Sequence, residues 1–230
     1  MSTAPPSLPR AKPLKRPSQA RALFTVQAIY DAFVRIWQRD GWAKLTTRAV
    51  ALETGVSVGT LYDYFPNKHA LLSGYVRHCI DALLARMRAD VVDAAAQPWQ
   101  ERVRRLVQLT CGFAVPGLPS FDHDMLALEY QIAEPKHHRR VYEELVAAWQ
   151  ATLAACTDLP HPVEPERVRS LVLAAWGGRR YLLLVQPHDI EAGDWVLQME
   201  RFCIAALAAS LPAPCGDARA KSQAAVNPER

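Results

Sequence analysis

The stretch KLTTRAVALETGVSVGTLYDYFPNKHALL, residues 44–72, decides how this chain folds. Thr46 or Thr47 offers a hydroxyl that caps a short helix ending near Gly55, and Ser57 caps a second short helix that Pro66 closes. Two helices crossing through a tight turn need a small side chain where they touch, a corner residue that tolerates positive φ, and an apolar plug behind the second helix. Ala51, Gly55 and Leu61 supply these in order. On the second helix Val58, Leu61 and Phe65 recur at three and four and line the inner side, which leaves Gly59, Thr60, Tyr62, Asp63 and Tyr64 toward the outside or the flanks. Two exposed tyrosines on so short a helix are hard to explain as core packing. Such a segment suits insertion into the ~12 Å wide major groove of DNA, although spacing alone also allows an ordinary helical hairpin.

From about Ile29 to Leu72 the sequence resembles, essentially without gaps, the DNA-binding signature of the TetR family. The resemblance implies that Thr47 and the backbone at the start of the second helix hold phosphate and that Arg48 reaches a base edge. Tyr62 and Lys68 match positions that grip phosphates on either side of the groove. Val58, Gly59, Thr60, Asp63 and Tyr64 match positions that vary with operator sequence, and Thr46 and Ser57 complete the expected DNA-facing set. The chemistry agrees with this division, since arginine bound to guanine is the commonest specific contact whereas a lysine point charge positions without reading sequence. Val58 stands where the family often has lysine and either touches a thymine methyl or only packs. Asp63, unusual against a polyanion, either accepts from a cytosine amine or faces away. The resemblance further implies a homodimer on a palindromic operator, with a helical body that answers to a small molecule.

Working toward the N-terminus, Val26, Ile29, Phe33 and Trp37 form one apolar stripe of a first helix capped by Ser18 and stopped at Gly41. Residues 1–17 hold five prolines, which deny a helix its donors, so they read as an arm. The first 24 residues carry Arg10, Lys12, Lys15, Arg16 and Arg21 and no acid, a distribution attracted to polyanions.

Working toward the C-terminus, an amphipathic pattern from Asn67 runs through Leu71, Leu72, Tyr75, Val76, Ile80, Leu83, Leu84 and Met87 toward Ala94. Prolines then punctuate Ala- and Leu-rich segments read as helices near 99–115, 121–134, 137–157, 165–186 and 191–211, none with strand alternation. The expected class is all-α: an arm over 1–17, a three-helix helix-turn-helix domain over 18–66, a helical bundle for ligand binding and dimerisation over 67–211, and a loose tail over 212–230. The late apolar segments, with Leu171, Leu173, Leu182, Leu183, Val196, Phe202 and Leu207, are the expected four-helix dimer interface. Gly177 and Gly178 either let backbones approach there or mark a kink. Trp99, Phe113, Phe121, Met125, Tyr130, Trp149 and Trp176 are candidates to line an effector cavity, or else fill core. The run from Pro135 through Arg140 either meets an anionic effector or is a solvated helix start.

The chain has 230 residues, 50% of them hydrophobic, and a formal net charge of +4. No apolar run approaches the ~20 residues that span a bilayer and no apolar signal core opens the chain, so no membrane partner is expected and the cytoplasm is the expected compartment. Five cysteines are scattered without metal-ligand spacing, so no metal site is expected and the thiols read as reduced and mostly buried. No Gly-rich phosphate loop, nucleophile elbow or zinc-protease helix is found. His123 between Asp122 and Asp124 is the nearest thing to a catalytic cluster and reads better as a helix start. A non-enzymatic protein without cofactor is expected, its partners being operator DNA, a second copy and a small-molecule effector, with a ligand-independent regulator as the alternative.

Overall fold

A computed structural model of the chain describes residues 20–92, 96–111, 115–185 and 192–209. The arm, the Ser18 cap, Phe113, Cys215 and the tail lie outside the described residues. Among those described, regular structure is entirely helical. The elements are α1 (Ala20–Lys44), α2 (Thr47–Thr54), α3 (Val58–Tyr64), α4 (Lys68–Met87, running on as a π-helical turn Arg88–Val92), α5 (Trp99–Cys111), α6 (His123–Ile132), α7 (Pro135–Ala154), α8 (Pro165–Val172, followed by a π-helical turn Leu173–Gly177), α9 (Gly178–Val185) and α10 (Ala192–Ala208).

Local chemistry accounts for the boundaries. Thr46, Ser57, Asn67 and Asp122 each adopt extended backbone and accept a hydrogen bond from the N–H three residues on, contacts worth about 1 kcal/mol each. Pro135 and Pro165 open α7 and α8 at the first turn, where a missing N–H costs nothing. The first helix was expected to stop at Gly41. Instead the helical path kinks there, with φ 72° and ψ 174°, and resumes to Lys44. That backbone conformation is open to glycine and strained for other residues.

Two buried clusters organise the chain. The head cluster gathers Val26, Ile29, Phe33, Ile36 and Trp37 of α1, Val50 and Ala51 of α2, and Leu61, Tyr64 and Phe65, and it reaches past residue 66 to take Leu71, Leu72 and Tyr75 of α4 and Met125 of α6. The body cluster begins with Leu83 and Met87 at the other end of α4 and includes Leu106, Trp149, Val172 and Leu207. α4 is therefore a shared rod whose first half is core to the head and whose second half is core to the body. A tilt of this helix cannot move one without the other.

The expected interface residues Leu171 and Leu207 are buried in the body instead, because they point inward from helices whose opposite face is bare. Gly178 faces the Trp195 indole so closely that an added Cβ would come within 2.9 Å of it. This glycine lets α10 lie against α9 within one chain.

Candidate nucleic-acid interface

The crossing of α2 and α3 is built as its residues require. Ala51 and Leu61 are fully buried, and Gly55 turns the corner at φ 72°, ψ 9°, with its N–H donating to the Leu52 carbonyl. Glu53 fixes α2 to α1 by accepting from Arg35 at 2.8 Å and Arg39 at 3.2 Å. The Arg35 hydrogen bond, with Arg39 beside it, holds the Glu53 carboxyl below its usual range.

Around this frame the outward polar atoms are already ordered. The Thr47 hydroxyl donates to the Tyr62 hydroxyl oxygen at 3.2 Å, which leaves the phenolic proton of Tyr62 free to donate outward. Tyr62 is 45% exposed while Thr47 is nearly buried, so the threonine braces the tyrosine. At the start of α3 the Ser57 hydroxyl accepts the Thr60 N–H at 3.0 Å and lies 2.8 Å from the Thr60 hydroxyl. Gly59 is exposed and opens the helix surface between them. Arg48 and Asp63 are exposed as well. Lys68, first residue of α4, donates to the Trp42 carbonyl at 3.0 Å, and its ammonium stands 4.3 Å from the Trp42 ring centroid.

Two residues of the expected set exchange roles. Tyr64 is only 8% exposed and packs into the head cluster, whereas Val58 is 39% exposed. The inner face of α3 is Leu61, Tyr64 and Phe65, at i, i+3 and i+4, and Val58 lies in the first turn ahead of it. One exposed tyrosine, not two, stands on the outer surface.

The family model described as bacterial regulatory proteins, tetR family, matches residues 29–74. This is the span from mid-α1 through the first turns of α4. Over these residues the chain is similar to the TetR family.

Among relatives, the head and its surroundings are similar to the nucleoid occlusion factor SlmA of Vibrio vulnificus, 33% identical over 81 residues, covering 34% of this chain and 40% of that protein. The chain thus spans about 40% of the length of the curated relatives it matches. The fold as a whole is similar to a TetR transcription regulator from Haloarcula marismortui, with TM-score 0.56 and 15% identity over 83% of this chain and all of that one. It is also similar to Thermus thermophilus FadR, a TetR-family repressor in complex with lauroyl-CoA, with TM-score 0.54 and 19% identity over 84% and 99% of the two chains. The matched segment is similar to that of bacterial regulatory proteins of the tetR family, and no described helix is long and apolar enough to cross a membrane.

Among the described residues, the expected effector residues do not all come together. Trp99 and Trp149 are core of the body, where the Trp149 indole N–H donates to the Thr110 hydroxyl at 3.1 Å, and Trp176 packs at the edge of the same cluster. Phe121 and Met125 join the head cluster. Phe113 and the Tyr130 side chain lie outside the described residues. The described candidates divide between two cores because they sit on inward stripes of different helices. An open surface pocket of about 520 Å³ lies elsewhere, lined by Asp90, Gln97, Glu101, Arg104, Arg105 and Gln108.

Sequence reading missed the buried polar groups of the body. Arg102, Glu129, Arg179 and Glu200 are all buried. Arg180 donates to Glu129 at 2.9 Å and Gln108 to Glu200 at 2.9 Å. Arg179 stacks 5.3 Å from the Trp176 ring centroid, and burial pulls its guanidinium down to about 10. Burial acts on the described cysteines in the same way, pushing the Cys79 and Cys203 thiols up to about 12 and so disfavouring the thiolate.

Proposed function

We propose that this protein is a ligand-released repressor that binds a palindromic operator as a homodimer, reading bases with the outer surface of α3. The single observation that carries this reading is the braced polar surface of the head, in which the Thr47–Tyr62 hydroxyl pair and the capped start of α3 flank an exposed glycine. Hydroxyls fixed before binding lose little freedom when phosphate arrives. Arg48 on α2 is the base reader, Lys68 and Tyr62 hold phosphate, and Thr60 and Asp63 lie where operator preference is set. Selection of bound fragments from random DNA tests the proposal. Enrichment of one inverted repeat is expected, and recovery of unrelated fragments would defeat it.

Arg48→Ala is expected to weaken binding to the selected operator by about 1–3 kcal/mol and to relax choice at one position of each half-site. Lys68→Ala is expected to weaken all duplexes alike and to flatten the dependence of log affinity on log salt by about 0.9 for each phosphate released. Titration of both variants against operator and random duplex, over a range of salt, separates the roles. Equal loss on both duplexes for Arg48→Ala would contradict base reading.

The effector reading is supported by the fold shared with the lauroyl-CoA-bound FadR and by the wiring of α6. At its start Asp122 accepts the Met125 N–H and also the Trp37 indole N–H of α1, the latter at 2.8 Å, while Tyr75 of α4 donates to the Ser120 carbonyl at 2.5 Å. Further along, Glu129 accepts from Arg180 of α9. α6 thus joins the head to the last helices of the body, a physical route by which a ligand preferring one arrangement could shift the heads. Trp37→Phe removes the indole N–H and also part of a buried ring, so stability is expected to fall by about 1–3 kcal/mol. Equilibrium urea unfolding checks it; an unchanged midpoint would mean that water replaces the bond without loss. A ligand-independent regulator is the second reading, favoured by one observation: the described aromatic candidates divide between two cores.

A further inference from the structure

Trp42 has no place in the DNA-facing set, yet the geometry around it is organised about a single charge. Gly41 takes a backbone conformation open to glycine, and the turn that follows sets the Trp42 ring 5.9 Å from Trp37 and 5.3 Å, edge to face, from His69. On this platform rests the ammonium of Lys68, which also donates to the carbonyl of the same tryptophan. Lysine carries three donors, so at least one remains for another acceptor. Without the platform the side chain would be a flexible four-carbon stem at the positive end of α4, where the helix dipole repels it and about 2 kcal/mol of rotamer freedom is lost on binding.

We propose that Trp42 is a positioning residue for DNA binding: its ring and carbonyl hold the Lys68 ammonium at the end of α4, ready for a backbone phosphate. This rests on the reading above that Lys68 contacts phosphate. Trp42 itself need touch nothing on the duplex. Its contribution is to fix beforehand the lysine that does.

A double-mutant cycle in the full chain tests the inference, with a labelled mixed-sequence duplex at low salt as probe and thermal melting as a check on folding. Trp42→Leu keeps apolar bulk but removes the π face, and affinity is expected to fall about threefold to tenfold per protomer. Trp42→Phe keeps an aromatic face and is expected to restore most of the loss. On a Lys68→Ala background either Trp42 substitution is expected to have no further effect. Should Trp42→Leu fail to fold, the same cycle with Trp42→Met, which also lacks a π face, carries the comparison. Losses that multiply, with Lys68→Ala itself harmful, would overturn the positioning role and leave the phosphate contact standing. A harmless Lys68→Ala would overturn both.

Discussion

Arg102→Met is expected to destabilise the protein by about 3–5 kcal/mol. Arg102 lies on α5, is 1% exposed, and spends its guanidinium on three carbonyls: Nε donates to Val91 at 2.9 Å, Nη2 to Val92 at 2.8 Å and Nη1 to Ala155 at 2.7 Å. Val91 and Val92 close the π-helical turn after α4, and Ala155 is the C-cap of α7. Helix ends leave carbonyls without intrahelical donors, so one buried cation completes two helices at once. Two terms oppose each other on substitution. Methionine relieves the cost of burying a charge, but it strands the carbonyls, at about 1–3 kcal/mol for each one that water cannot reach. The second term wins because it counts several groups against one. For a chain of this size each kcal/mol shifts the melting point by about 2–4 °C, so a fall of roughly 6–20 °C is expected in a thermal scan. A shift within a degree or two would mean that water already serves these carbonyls. Arg102→Lys is expected to recover only part of the loss, since one ammonium cannot match the planar fork.

Arg102 also marks where sequence reading ends. The helix starts at Thr47, Val58, Lys68 and His123 follow from caps that bond to backbone only a few residues away, and information that local is visible in sequence. The crossing of α2 and α3 is legible for the same reason, since Ala51, Gly55 and Leu61 meet within one turn. Tyr64 and Val58 were misjudged because a helix this short offers two nearly equal inward stripes, one through Val58, Leu61 and Phe65 and one through Leu61, Tyr64 and Phe65. Only the placement of α1 and α4 chooses between them. Arg102, Glu129, Arg179 and Glu200 were illegible because a charged residue in an amphipathic helix reads as solvated unless its partner is known, and the partners shown for three of them stand 10 to 92 positions away. The placement of the described effector candidates was illegible on the same ground: aromatic bulk announces burial, and which core it enters depends on long-range packing.

Loss of the proposed dimer is expected to have the largest effect on function, and Leu173→Glu with Phe202→Glu is expected to produce a folded monomer whose affinity for the operator is lower by about 10²–10⁴. Leu173, Tyr181 and Val185 are exposed by 63%, 68% and 51%, at multiples of four along the rod formed by α8, its π-helical turn and α9. Gly177 falls on the same stripe, where an added Cβ would meet only Leu173, at 3.9 Å. On α10, held against α9 through Trp195 and Gly178, Leu197 and Phe202 are exposed by 42% and 53%. Soluble monomers rarely leave so many large apolar side chains bare on neighbouring helices, and a stripe with a glycine gap suits the same face of a second copy across a two-fold axis. Because these side chains already face solvent in the single chain, glutamate there removes little packing, and the melting curve of the variant should resemble that of a dissociated wild type. The cost falls on DNA binding. In the proposed dimer, two heads joined through the body turn the second half-site into an intramolecular contact, and that advantage vanishes when the copies separate. Sedimentation at micromolar concentration, followed by titration with the selected operator, tests both halves: a variant that stays dimeric would move the interface elsewhere, and a monomer that binds as tightly as the wild type would show that one α3 suffices.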